Sequence, residues 1–93
     1  MKVEFTGIVF EGDEAIKRWT DQNGAEQMSR TGVITTLDEP AHISFYSRGV
    51  DDITRYPLTV GQKVKIVVDE RDSKNQKGWW NPSRRLVSVE YLA

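Results

Sequence analysis

Lys63-Val64-Lys65-Ile66-Val67-Val68-Asp69, entered through Leu58-Thr59-Val60-Gly61-Gln62, and Leu86-Val87-Ser88-Val89-Glu90-Tyr91-Leu92 are two stretches of strand period whose pairing decides the fold. Val64, Ile66 and Val68 fall on one face of the first, with Lys63, Lys65, Val67 and Asp69 on the other. On the return arm Val87, Val89 and Tyr91 share a face opposite Leu86, Ser88, Glu90 and Leu92. Both arms are long enough to cross a small barrel. The segment between them, Arg71 to Arg85, holds five basic residues (Arg71, Lys74, Lys77, Arg84 and Arg85), one acid (Asp72) and the pair Trp79-Trp80. Gly78, Asn81 and Pro82 punctuate it as loop. Cations that hold phosphate beside flat rings that stack on bases are what a single-stranded nucleic acid requires. The same residues also suit a hairpin end capped by tryptophan and kept soluble by Lys and Arg.

Ninety-three residues are expected to form a single domain, residues 1 to 93, with room for one barrel or sandwich. The absence of cysteine excludes disulfides and thiolate metal sites. No apolar run approaches membrane-spanning length, so a cytoplasmic, complete chain with no membrane partner is expected. Thirteen Lys and Arg against fourteen Asp and Glu give a net charge of −1, which counts against binding nucleic acid by bulk charge. Distribution matters more than the sum. Residues 1–16 carry one base and four acids, whereas residues 71–85 carry five bases and one acid. The molecule should therefore have a basic and an acidic side.

Upstream of the hairpin, a first strand over about 2–11 is apolar on both faces in its second half, and Gly7 suggests a bend that lets it pair with both halves of a barrel. Lys17-Arg18-Trp19 is a second basic and aromatic cluster, and Asn23-Gly24 is a strong hairpin signal. A second strand follows to Leu37, weakest at Gly32, with Met28, Arg30, Gly32 and Ile34 on one face. A third, Ala41 to Arg48, places Ile43 and Phe45 on one face and His42, Ser44, Tyr46 and Arg48 on the other. Between Gly49 and Pro57 the period lengthens to that of a short helix.

Three strands, a short helix and two strands is the order of an all-β, five-stranded OB-fold Greek-key barrel with its helix between strands 3 and 4. In that fold the ligand face is built from strands 2 and 3 and loops 1-2 and 4-5, which here fall on residues 12–26 and 70–84. Each loop carries a Lys/Arg cluster with tryptophan. The expected nucleic-acid-binding set is Lys17, Arg18, Trp19, Arg30, Tyr46, Arg48, Arg71, Lys74, Lys77, Trp79, Trp80, Arg84 and Arg85. Neighbours on a strand point to opposite faces, so Trp79 and Trp80 cannot do the same job. Alternation from Val87 and Val89, taken as inward, assigns Trp79 to the barrel and Trp80 to the bases, with Trp19 and Tyr46 as companions. A bulge at Pro82 would reverse that assignment.

In pattern the whole chain resembles the OB-fold single-stranded DNA-binding proteins of bacteria, plasmids and phages. The points of likeness are the glycine in strand 1, the Asn23-Gly24 hairpin, the helix after strand 3, and Leu58-Thr59-Val60-Gly61-Gln62-Lys63-Val64 entering strand 4. The bacterial family ends in a disordered acidic tail that recruits partners, whereas this chain stops at Glu90-Tyr91-Leu92-Ala93, so the compact phage or plasmid form is the closer likeness. The resemblance implies largely sequence-independent binding of single-stranded DNA, a place in DNA replication, no cofactor, and a possible homodimer.

Catalysis is poorly supported. Nucleophilic triads need a placed histidine, and His42 stands alone without cysteine. The acidic pairs Asp13-Glu14, Asp38-Glu39, Asp51-Asp52 and Asp69-Glu70 are adjacent residues that a strand sends to opposite faces, and no metal site is expected. An RNA-binding OB domain and a small barrel acting as a protein-interaction or inhibitor module remain open alternatives, because tryptophan and arginine also anchor protein interfaces.

Overall fold

Alternation of apolar and polar residues dictates most of the architecture in the computed structural model, which describes residues 1–93. The strands are β1 (Lys2–Glu11), β2 (Ile16–Thr20), β3 (Glu26–Thr36), β4 (His42–Arg48), β5 (Lys63–Lys74) and β6 (Trp80–Tyr91), with the helix α1 (Val50–Arg55) between β4 and β5. They form one sheet in the order β1-β5-β6-β4-β3-β2, which a further β1–β3 pairing closes into a barrel. β1 makes that closure by pairing with β5 through residues 2–8 and with β3 through residues 7–11. The irregularity lies between Val9 and Glu11. Gly7 serves close approach: a Cβ there would run into the Thr35 carbonyl oxygen.

The core consists of Val9, Ile34, Phe45, Leu58, Val64, Ile66, Val68 and Leu86, with Val3, Phe5, Ile43, Tyr56 and Val89 packed against it. Each such aliphatic side chain contributes about 1.5–3 kcal/mol when fully buried. Gly32 pairs with Phe45, and the Phe45 ring lies where a Cβ would otherwise be, so the glycine is a slot in the core. α1 contributes Ile53 to the interior. No helix is long and apolar enough to cross a membrane.

Three expectations are corrected. The sheet has six strands, because Ile16–Thr20, expected within a loop, pairs with β3. This strand extends past the barrel, and four of its five residues are exposed, so it shows no apolar alternation. The segment 70–84 is likewise mostly strand: β5 and β6 remain paired out to Lys74 and Trp80, and only residues 75–79 turn. That ribbon buries neither face, since residues 71–82 are all exposed, and polar sequence therefore hides a regular ladder. Finally, Leu86 takes the core position assigned to Val87. Val67 pairs with Ser88 but Val68 pairs with Leu86, and the extra residue shifts the alternation of β6 by one.

Candidate nucleic-acid interface

The outer face of the barrel follows from register. In β3 and β4 the buried residues are Met28, Arg30, Gly32 and Ile34, and Phe45 and Ser47, so Ser29, Thr31, Tyr46 and Arg48 point outward. Lys17 lies opposite Ser29, and Ser29 opposite Arg48, forming one row across β2, β3 and β4. Trp19 lies opposite Gln27 on the same side. A second row runs Thr31, Tyr46, Arg85, Asp69 across β3, β4, β6 and β5. These two rows bring Lys17, Trp19, Tyr46, Arg48 and Arg85 onto one face.

The ribbon continues that face. Arg71, Ser73, Ser83 and Arg85 share the side of Asp69, while Lys74, Trp80, Pro82 and Arg84 share the side of Glu70, which leads to the core residues Val68 and Leu86. The ribbon's base leans against the sheet over a hollow of about 280 Å³, with Thr31, Ser44 and Tyr46 on one wall and Ser73, Pro82 and Arg84 on the other. A hollow of about 150 Å³ on the far side of Tyr46 is lined by that ring, Asp69, Arg71, Ser83 and Arg85. Further along the face, Trp19 and Arg48 border a hollow of about 430 Å³ with Met28 at its base. Tyr46 is thus a ridge between two polar depressions, and Trp19 edges a third.

Cations and rings are already paired. The Arg48 guanidinium lies 5.4 Å from the centroid of the Tyr46 ring, and the Lys74 ammonium lies 5.5 Å from that of Trp80. Such pairs hold a flat ring and a positive charge together by about 0.5–1 kcal/mol at exposed sites. Lys17, Arg48, Lys74 and Lys77 form no ion pair, so their charge is available to a phosphate. Arg71 and Arg85 converge on Asp69, with N···O separations of 3.3 and 3.9 Å, and both remain largely exposed.

Four expected site residues are placed differently. Arg30 is buried at 1% exposure: its Nη1 donates to Asp13 Oδ1 at 2.8 Å and to the Tyr56 carbonyl at 2.7 Å, and its Nη2 to Ser47 Oγ at 3.3 Å. It shares its face with core residues, and its guanidinium ties the Asp13 turn and the end of α1 to the barrel. Arg18 is exposed but lies on the opposite side of β2 from Lys17 and Trp19, because it pairs with the buried Met28. Arg84 is committed to Glu70 at 2.8 Å and lies near the Phe5 ring, with only 19% of its side chain exposed. Trp79 does not pack inward. The ribbon projects past the core, and both tryptophans are exposed, Trp79 at 70% and Trp80 at 66%.

Sequence reasoning missed Asp69 and Ser83 as members of the face, and the contact between the rings of Phe10 and His42, whose centroids are 4.7 Å apart with their planes tilted by 36°. The signal for Asp69 and Ser83 was the alternation from Arg85 through its strand partner, which becomes usable once the ladder is known to run on past Asp69.

No protein-family model matches this chain, and no curated protein sequence matches it. Among solved structures, it is similar to the mitochondrial single-stranded DNA binding protein Rim1 of S. cerevisiae, with a TM-score of 0.68 and 14% identity over 99% of this chain and 95% of that one. It is also similar to the SSB domain of a protein from Synechococcus sp., with a TM-score of 0.62 and 13% identity over 95% of this chain and 91% of that one. The chain has the OB-fold architecture of these domains. At such identities, what is shared is the fold.

Proposed function

We propose that this protein binds single-stranded DNA, largely without sequence preference, along the outer face of β2, β3 and β4 and the base of the β5–β6 ribbon. The observation that carries the proposal is a pair of rings on that face with cations on the same side, the half-buried Tyr46 under Arg48 and the exposed Trp19 two residues from Lys17; Trp80 under Lys74 adds a third ring on the other side of the ribbon. Rings of this kind stack on any base, and the cations follow the phosphates. Two solved neighbours named as single-stranded DNA-binding proteins or SSB domains support the same reading.

Titration of tryptophan fluorescence with oligo-dT, oligo-U and duplex DNA at two salt concentrations tests it. Quenching by oligo-dT, with log affinity falling by about 0.7 per unit of log salt for each phosphate neutralised, is expected. Reversing Lys17, Arg48, Arg71 and Lys77 should weaken binding and flatten that slope. Reversing Lys63 and Lys65, the latter already paired with Glu4 and Glu90, should not. No quenching, or equal loss from both sets, would refute the assignment. Equal affinity for oligo-U would extend it to RNA.

A further inference from the structure

A carboxylate on a face that receives phosphate repels its ligand, yet Asp69 is central to the hollow beside Tyr46. Its side chain is 16% exposed. Oδ1 accepts a hydrogen bond from the Met1 amino group at 3.0 Å, and Oδ2 accepts one from Arg71 Nη2 at 3.3 Å, with Arg85 Nη2 at 3.9 Å. The Met1 amino group, and Arg71 more weakly, hold its carboxyl below the ordinary aspartate range, so it is charged at neutral pH. The strand register makes this cluster unavoidable: Asp69 faces Arg85, Arg85 faces Tyr46, and Arg71 lies two residues along β5 on the same side, facing Ser83.

The energetic consequence concerns the arginines. A free guanidinium on a long stem samples many rotamers, and ordering it on a ligand costs free energy. The carboxylate accepts from one N–H of Arg71 and holds the Arg85 guanidinium 3.9 Å away without a hydrogen bond, so it narrows the positions both charges take at the hollow they line while each side chain remains largely exposed. The two guanidiniums outweigh the single carboxylate, so the cluster still attracts an anion. The hollow, about 150 Å³, is several times the roughly 30 Å³ share of one water molecule, and one wall is an aromatic ring.

We propose that this hollow is a single-nucleotide subsite, with a base on Tyr46 and its phosphate between Arg71 and Arg85, and that Asp69 is the positioning residue that aims both arginines. The inference rests on the reading of this protein as a single-strand binder.

Asp69→Asn removes the charge while keeping the shape, and the two physical accounts of it differ in sign. If Asp69 acts only as a negative charge, its removal tightens binding to oligo-dT. If Asp69 aims the arginines, Asp69→Asn weakens binding roughly tenfold, the value of one or two lost charge-assisted contacts. The salt slope should then become shallower by about 0.7 for each guanidinium that no longer meets phosphate. Asp69→Glu should recover part of the loss. In an Arg71→Ala, Arg85→Ala background, Asp69→Asn should cost nothing further, because the partners through which it acts are gone. A second variant does not touch the carboxylate: Arg71→Lys with Arg85→Lys keeps the charge but loses the two-pronged geometry, and it should also weaken binding. A thermal melt accompanies each variant.

Unchanged or tighter binding by Asp69→Asn overturns the inference, as does an equal loss in the double-alanine background. In either case wild-type binding to oligo-dT would leave the broader proposal standing. Failure of the wild type to bind would refute that proposal itself.

Discussion

Replacing Arg30 separates the two places this residue can work. Its side chain is fully buried, and it makes three hydrogen bonds, to the Asp13 carboxylate, the Tyr56 carbonyl and the Ser47 hydroxyl, while Nε has no partner. Arg30→Ala removes two short charge-assisted bonds, strands the Tyr56 carbonyl and opens a cavity beside Met28 and Ser47. Breaking a buried pair from one side costs about 3–5 kcal/mol. Asp13 softens this toward the lower figure, because its side chain is 40% exposed and it still accepts from the Leu58 amide at 3.2 Å. Against a total stability of about 5–15 kcal/mol for a small domain, a loss of about 3 kcal/mol removes between roughly a fifth and three fifths of it, so the variant should unfold at a clearly lower urea concentration than the wild type. Asp13→Asn should be at least as damaging, because it leaves a guanidinium charge in the interior. Arg30→Met combined with Asp13→Asn should recover most of the loss, since an apolar stem replaces the pair without an orphaned charge. Urea denaturation followed by circular dichroism measures the three variants, and oligo-dT titration of the folded fraction accompanies it. An Arg30→Ala protein of wild-type stability that has lost affinity would refute the reasoning and return Arg30 to the binding face.

Trp80→Ala should lose about 1–3 kcal/mol of single-strand binding with its melt almost unchanged, because the ring is exposed and stacks only under Lys74; loss of stability without loss of affinity would contradict this. Gly32→Ala places a Cβ 2.5 Å from the Phe45 ring and should destabilise by about 1–3 kcal/mol, measurable by thermal melt, whereas a neutral result would mean the Phe45 ring can move aside. Asp21 is held below the ordinary aspartate range by the Gln27 side-chain amide first, and then by the Ala25 and Asn23 amides. Because the folded value is the depressed one, this contribution is complete above the unfolded pKa near ~4 and is lost as pH falls through the folded value. Protection of the Asn23 and Ala25 amides, measured relative to their intrinsic exchange at each pH, should therefore fall under acid before that of the β5–β6 ladder, and simultaneous loss in both would show that Asp21 does not hold the turn.

How much of this molecule could be read from its sequence depended on whether a strand separates an interior from water. Where one face is buried, as for Val64, Ile66 and Val68, alternation gives strand, register and core at once. Where neither face is buried, alternation carries no signal, and β2 and the outer ribbon were invisible for that reason although their backbones are fully paired. The bulge opposite Val67 and Val68 then shifted everything counted back from Val87. It exchanged Leu86 for Val87 in the core and reversed the parity expected of the tryptophans, so that Trp80 lies on the side of the ribbon that leads to the core, although no interior exists that far out. Arg30 shows the converse failure: its parity with Met28 and Ile34 placed it on the inner face, but its charge argued for the surface, and only the partners Asp13, Tyr56 and Ser47 reverse that inference. The same limit governs the candidate site. Composition alone marked the basic and aromatic residues, but the relation between Tyr46 and Arg85 is a single parallel pairing between strands far apart in sequence. That pairing puts Asp69 beside Arg71 and Arg85, and an acid that looked like the solvated end of a strand becomes the group on which the cations of the face are arranged.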